Sequence, residues 1–139
     1  MNIIEAIYDD KLFRPYFGDS LDTWRPWLTA LKVVFGIRPF TTYDKKLIIE
    51  CTGRNPDLLP TSGFDTSLFL VGRRSGKSRI AALIGAYLAS LSGVESRLDK
   101  GEKGRVICCA PSREQSSVEL GYLASLYEPE LLAATIIGQ

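Results

Sequence analysis

A short loop between two apolar runs carries the residues of this chain whose types and spacing could do phosphate chemistry. The stretch SLFLVGRRSGKSRIAALIGAYLASL, residues 67–91, contains Gly-Lys-Ser at positions 76–78. In the pattern G-x-x-x-x-G-K-[ST], glycine admits close approach of the backbone, lysine reaches the β- and γ-phosphates of a nucleotide, and the hydroxyl binds Mg²⁺. Gly76, Lys77 and Ser78 match it. The sequence therefore predicts a site for ATP and Mg²⁺, with Ser78 as the metal ligand.

The first half of this loop departs from the regular pattern. Val71 stands where the first glycine is expected, and Gly72 follows one position late. Four cations lie close to the start of the following helix, where the positive end of the helix dipole disfavours them unless an anion is bound. They are Arg73, Arg74, Lys77 and Arg79. A turn that only caps a helix is the alternative interpretation, but the cations favour a bound triphosphate.

We call residues 72–79 the phosphate loop, and each has a predicted part in binding the cofactor. They are Gly72, Arg73, Arg74, Ser75, Gly76, Lys77, Ser78 and Arg79. Backbone amides from about residue 75 to 79 would surround the phosphates. Lys77 would neutralise charge on the β- and γ-oxygens, and Arg73 or Arg74 could stabilise transition-state charge as an arginine finger does. The alternative for either arginine is a solvent-exposed or DNA-facing cation.

The second half of the chain alternates predicted strands with predicted helices. TSLFLVG at 66–72 and RVICCAP at 105–111 are short apolar runs typical of buried strands. Helices are predicted over residues 77–92 and over 112–128, the second capped by Ser112. Such alternation predicts an α/β fold with a parallel sheet flanked by helices.

The first half of the chain is predicted to be helical. Apolar residues at helical spacing predict one helix within residues 21–35, and a second is predicted over 41–53, opened by Thr41 or Thr42 and closed by Gly53. The segment 54–64, which holds two prolines and a glycine, reads as a connecting loop. We therefore predict a helical lead-in at 1–64 and a second domain at 65–139.

Composition limits the other classes of function. The formal net charge of the 139 residues is only +1, so any basic surface must be local. Three cysteines without metal-ligand spacing and the lack of histidine argue against a disulfide scaffold or a zinc site. The longest apolar stretch, 80–91, is well short of the roughly 20 residues that cross a membrane. No secretion signal opens the sequence, so a cytosolic chain without membrane partners is expected.

Two segments resemble the ATPase domain of bacteriophage large terminase subunits, the motors that package DNA into procapsids. They are VGRRSGKSRIAALIGAYLA and GEKGRVICCAPSREQSSVELGYLASL. The family's phosphate loop is a deviant form with arginine near its start, which Arg73 matches. The resemblance therefore favours Arg73 over Arg74 as the catalytic arginine, with Lys77 as the second catalytic residue. The upstream TWRPWLTALKVVFG and CTGRNPDLLP resemble the lead-in of some terminases. Gln115, in APSREQS, would couple the nucleotide site to its surroundings or be a plain surface glutamine.

The resemblance also implies a fold, partners and a location. The expected fold is that of a P-loop NTPase of the ASCE type, and the expected partners are double-stranded DNA, the portal and the small terminase subunit. The expected assembly is a homo-oligomeric ring in the full-length protein, and the place is the host cytoplasm at the procapsid portal.

Part of the terminase pattern is missing from the sequence. We find no Walker B strand ending in Asp-Glu and no acidic nuclease cluster. The chain is therefore expected to be the first half of an ATPase domain, an incomplete P-loop NTPase that hydrolyses ATP negligibly by itself. Two alternatives stay open: a fragment of another P-loop ATPase, such as a helicase or replication ATPase, and a noncatalytic nucleotide-binding module.

Overall fold

The computed structural model describes residues 1–128 and 130–133. The chain forms two compact units: one combines Met1–Tyr16 with the chain from Val71 onward, and the other is Phe17–Leu70. These limits differ from the division into 1–64 and 65–139, which stays a prediction. The phosphate loop belongs to the first of these units.

Two helices form the frame of the unit Phe17–Leu70. Helix α2 spans Arg25–Val34 and follows a 3-10 turn at Asp22–Trp24, with Pro26 inside its first turn, where a missing amide proton costs no hydrogen bond. Helix α3 spans Thr42–Thr52 and ends at Gly53 in the left-handed conformation. A further 3-10 turn covers Pro56–Leu58. Both predicted helices are confirmed, and the first is shorter than expected.

A buried polar cluster joins α2 to α3. Asp44 accepts hydrogen bonds from the Thr29 hydroxyl, from the Lys32 ammonium at 2.8 Å and from the Thr41 amide at 2.9 Å. Burial of this carboxyl works to raise its pKa, but the hydrogen bonds from Lys32, Thr29 and Thr41 outweigh burial and lower the pKa to about 2. Asp44 therefore stays ionised inside the unit and ties the two helices together.

The chain crosses itself closely where α2 ends. The Phe64 amide donates to the Val34 carbonyl at 2.8 Å. A Cβ placed on Gly36 would lie 2.2 Å from the Thr61 carbonyl oxygen, and one placed on Gly63 would lie 2.3 Å from the Val34 carbonyl oxygen. Both glycines have positive φ angles. Only glycine allows this backbone approach.

The other unit is built around one long apolar helix. Helix α1 spans Ile3–Tyr8, α4 spans Lys77–Ser90, α5 spans Arg113–Ser125 and α6 spans Glu130–Ala133, with 3-10 turns at Arg14–Phe17 and Val94–Arg97. The Ser112 hydroxyl caps α5 by accepting from the Gln115 amide at 3.3 Å, as predicted. The predicted helix at 77–92 is confirmed too.

Helix α4 is buried on most of its surface. Its buried residues are Ile80, Ala82, Leu83, Gly85, Ala86 and Tyr87. Helix α5 packs against it, and the Ser90 and Tyr127 hydroxyls lie 2.8 Å apart. From α1 and the turn that follows it, Ile3, Ile7 and Phe13 are fully buried. The burial of α4 sets the direction in which its amino-terminal end, and with it the phosphate loop, faces.

The predicted α/β fold is wrong for the described residues. They contain helices and turns but no β-strand, so there is no parallel sheet and the ASCE-type P-loop fold is not formed. The predicted strands at 66–72 and 105–111 carry no strand pairing, and several of their apolar side chains, such as Leu68, Leu70 and Ile107, are largely exposed. An apolar run suits a buried strand, but a strand also needs a neighbour for its backbone hydrogen bonds.

Within the described part of the chain, no helix is both long enough and apolar enough to cross a membrane.

Candidate functional site

The phosphate loop turns sharply into α4. Residues 73–76 form a turn, and α4 begins at Lys77. Gly76 precedes the helix with φ +81°, and Arg74 has φ +61°. Among the described residues, Arg74 is the one non-glycine residue with positive φ. The left-handed conformation costs such a residue roughly 1–2 kcal/mol, and backbone strain of this kind is often found at ligand-binding sites.

The start of α4 differs from the starts of the helices with side-chain caps. Asn2, Thr41 and Ser112 each accept a hydrogen bond from an amide in the first turn of the helix that follows. Those first turns also contain an acidic residue, whereas α4 has neither a capping side chain nor an acid in its first turn. Helix α2 also lacks both, but a 3-10 turn that begins with Asp22 leads into it.

Backbone amides at the start of α4 are therefore available for an anion. The first hydrogen bond within the helix runs from the Ile80 amide to the Gly76 carbonyl at 3.0 Å. The amides of Lys77 and Ser78 precede that bond and point out of the helix end. Gly76 cannot offer a side-chain acceptor to them. A phosphate oxygen is the kind of acceptor that such an end binds.

Three cations lie close to these amides along the chain. Arg73, Arg74 and Lys77 are exposed, and none of them forms an ion pair with the carboxylates that the structure describes. Their charges add to the positive end of the α4 dipole, so they repel one another and the helix end. The arrangement is electrostatically unfavourable until an anion is bound.

Arg79 behaves differently from these three. Its guanidinium donates to the backbone carbonyl of Tyr16 and lies over the Tyr16 ring, 4.5 Å from the ring centroid. In return, the Tyr16 hydroxyl donates to the Arg79 carbonyl at 3.4 Å. Burial raises the pKa of Tyr16, although the Arg79 hydrogen bond and charge work in the opposite direction, so the phenol keeps its proton at neutral pH. The Arg79 side chain is therefore directed to Tyr16, and of Arg79 only the backbone remains at the start of α4.

The roles of the remaining predicted residues stay predictions. The side chains of Ser75 and Ser78 are partly buried at the turn. Gly72 is exposed, and an added Cβ there would meet no atom within 4 Å, so the described surroundings do not require glycine. Gln115 is exposed in the first turn of α5, where its amide is used in the Ser112 cap.

The phosphate loop has two side-chain oxygens, the hydroxyls of Ser75 and Ser78, and the Gly-Lys-Ser pattern assigns the Ser78 hydroxyl to Mg²⁺. The described residues contain no group of three His, Cys, Asp or Glu side chains that could hold a metal. Magnesium commonly keeps several waters and is held by few protein ligands together with phosphate oxygens. A single hydroxyl therefore fits Mg²⁺ that arrives with a nucleotide better than a resident ion.

Tyr16 is the residue near the loop that sequence reasoning missed. It lies 63 positions before Arg79 in the chain, in the 3-10 turn Arg14–Phe17. No pattern within a short window connects two such positions. One local feature did point to a contact: Arg79 is a cation in the first turn of a helix, where the helix dipole disfavours positive charge unless a partner compensates it.

Comparisons of this chain with protein-family models, with curated proteins and with solved structures find no match. The geometry of the loop and the resemblance of the sequence segments are thus the two bases for a functional proposal.

Proposed function

We propose that this chain binds the phosphates of Mg·ATP through the phosphate loop and is the ATP-binding part of a bacteriophage large terminase subunit. In that protein, ATP hydrolysis drives double-stranded DNA into a procapsid in the host cytoplasm. The portal, the small terminase subunit and further copies of the chain in a ring are the proposed partners. The packaging role and these partners rest on the resemblance of the two sequence segments alone.

The observation that carries the phosphate binding is the uncompensated positive charge at the start of α4. The helix end has outward-facing amides, no capping side chain and no acid in its first turn. Arg73, Arg74 and Lys77 add three cations that no described carboxylate neutralises. A triphosphate supplies the missing negative charge and several acceptor oxygens at once.

Each residue has a role that its position permits. Lys77 is exposed at the first position of α4, and its long side chain would bind β- and γ-phosphate oxygens. Arg73 is exposed at the first position of the turn and would stabilise charge on the γ-phosphate as it is transferred. Ser78 would contribute one oxygen to Mg²⁺, which supplies charge neutralisation between the β- and γ-phosphates when it is bound.

Calorimetric titration with Mg·ATP tests the proposal. We expect the wild-type chain to bind and Lys77→Ala to bind about 10- to 100-fold more weakly, because a lost hydrogen bond to a charged group is worth roughly 1.5–3 kcal/mol. Inorganic triphosphate should compete with ATP, since the phosphates carry the recognition. Circular dichroism of each variant shows whether α4 is still folded.

A matched lysine serves as the control. Lys46 is an exposed lysine on α3, 3.8 Å from Glu50, and it lies in the other unit. Lys46→Ala should keep the wild-type affinity, because exposed pairs of this kind contribute at most about 1 kcal/mol. Equal affinity in the wild type and Lys77→Ala, or no binding by a folded wild-type chain, would overturn the phosphate site.

A further inference from the structure

We propose that Tyr16 is a positioning residue for the phosphate loop, which it holds in place through Arg79. In this arrangement Arg79 is not a phosphate ligand: its side chain binds Tyr16, and only its backbone remains at the helix start. The inference rests on the proposed phosphate binding and assigns a role to a residue outside the loop.

Tyr16 is itself fixed by the segment before it. The Tyr16 amide donates to the Phe13 carbonyl at 3.1 Å, and the Phe13 amide donates to the Ala6 carbonyl at the same distance. Phe13 and Ala6 are fully buried. The backbone carbonyl that Arg79 binds therefore belongs to a well-anchored turn, not to a mobile arm.

The contact holds both the side chain and the backbone of Arg79. The guanidinium is bound by the Tyr16 carbonyl and ring, and the Arg79 carbonyl accepts from the Tyr16 hydroxyl. Arg79 is the third residue of α4, so the contact acts on the helical turn whose amides face the phosphates. A shift of about 1 Å in such a group can cost on the order of 100-fold in activity, which makes the contact important for binding geometry.

A second tyrosine on α4 provides a control at the other end of the helix. The Tyr87 hydroxyl donates to the Met1 carbonyl at 3.1 Å, and its side chain is buried. Both contacts join α4 to the first sixteen residues. Only the Tyr16 contact lies at the phosphate loop, so loss of Tyr87 should lower stability without moving the loop.

The test compares Mg·ATP affinities of Tyr16→Ala, Tyr16→Phe, Arg79→Ala and Tyr87→Ala by calorimetry. Tyr16→Ala and Arg79→Ala should each weaken binding about tenfold, and the double variant should bind no more weakly than either one, because both break one contact. Tyr16→Phe loses the hydroxyl contact at 3.4 Å but keeps the ring and the carbonyl, so its loss of affinity should be smaller than that of Tyr16→Ala. Tyr87→Ala, if folded by circular dichroism, should also bind like the wild type.

Salt dependence separates positioning from direct contact. A cation that touches the phosphates makes affinity fall as salt rises. Lys77→Ala should flatten that dependence, whereas Arg79→Ala should keep the wild-type slope. A slope flattened equally in Arg79→Ala would make Arg79 a phosphate ligand and overturn the inference.

The remaining outcomes are distinct from failure of the proposed function. If Lys77→Ala binds more weakly than the wild type and Tyr16→Ala binds like the wild type, the inference alone is wrong. Equal losses in Tyr16→Ala and Tyr87→Ala would reduce the Tyr16 effect to general stability and would also overturn it. A folded wild type that does not bind Mg·ATP refutes both proposals.

Discussion

Arg74 should be strained in the folded chain, and replacing it with glycine should release that strain. Its φ of +61° costs roughly 1–2 kcal/mol for a residue with a Cβ and almost nothing for glycine. Glycine also makes the unfolded chain more flexible, which lowers stability by about 0.4–1 kcal/mol. Arg74→Gly should therefore stabilise the loop slightly.

The adjacent arginine makes the comparison quantitative. Arg73 is exposed in the same loop but has no positive φ angle. Arg73→Gly removes the same charge and adds the same flexibility without releasing strain, so it should destabilise by about 0.4–1 kcal/mol. The difference between the two variants isolates the left-handed conformation and should be roughly 1–2 kcal/mol.

Hydrogen exchange of the α4 amides, read by mass spectrometry, measures this difference locally. A gap of one to two kcal/mol corresponds to about a 5- to 30-fold difference in the exchange rates of the first turn of α4. Exchange should be slower in Arg74→Gly than in Arg73→Gly. Equal exchange in the two variants would refute the strain at Arg74.

The same pair of variants connects strain to function. Each variant removes one cation from the phosphate loop, so each should bind Mg·ATP more weakly than the wild type. Arg74→Gly would then be more stable than the wild type and would bind Mg·ATP more weakly. A stabilised Arg74→Gly chain with wild-type affinity would show that the strained conformation does not serve phosphate binding.

Two further predictions concern the unit Phe17–Leu70, whose unfolding Trp24 and Trp27 report by fluorescence. Gly36→Ala should lower the free energy of unfolding by about 3–5 kcal/mol, because a Cβ would meet the Thr61 carbonyl oxygen at 2.2 Å. Gly53 has a similar φ angle and open space around it, so Gly53→Ala should cost only about 1 kcal/mol. Equal costs in the two variants would contradict the close approach at Gly36. The pKa of Asp44 in the folded chain is about 2, below its ordinary value of 3.8. Ionised Asp44 should therefore add roughly 1–2 kcal/mol to the free energy of unfolding above pH 4, and this stabilisation should be lost as pH falls from 4 through 2. Urea unfolding between pH 4 and pH 2 should show this loss in the wild type and not in Asp44→Asn. If the unfolding free energy of Asp44→Asn depended on pH as steeply as that of the wild type, Asp44 would not be its source.

The helix boundaries could be predicted from the sequence because they depend on neighbours in the chain. Thr41 and Ser112 cap α3 and α5 as expected, and Gly53 ends α3 in the left-handed conformation. Each of these effects acts within one helical turn. Where the expectation was imprecise, at the start of α2, a 3-10 turn extends the helix by weaker bonds that leave no sequence pattern.

The sequence also predicted the helix start at Lys77, whereas phosphate binding by the loop before it stays a prediction. Its glycine, lysine and serine lie within three positions, and the charge argument needs only the helix start that Lys77 occupies. The strain at Arg74 was not predictable, since an arginine gives no signal for positive φ.

The strands and the Arg79 contact depended on parts of the chain far from each other. The sequence by itself determined that residues 66–72 and 105–111 are apolar and suited to strands, but pairing requires a neighbour at the right distance, and the described fold provides none. Likewise, only the tertiary structure decided that Arg79 turns to Tyr16, 63 positions earlier. Local pattern determines what a segment can form, whereas long-range contacts decide which partners it meets.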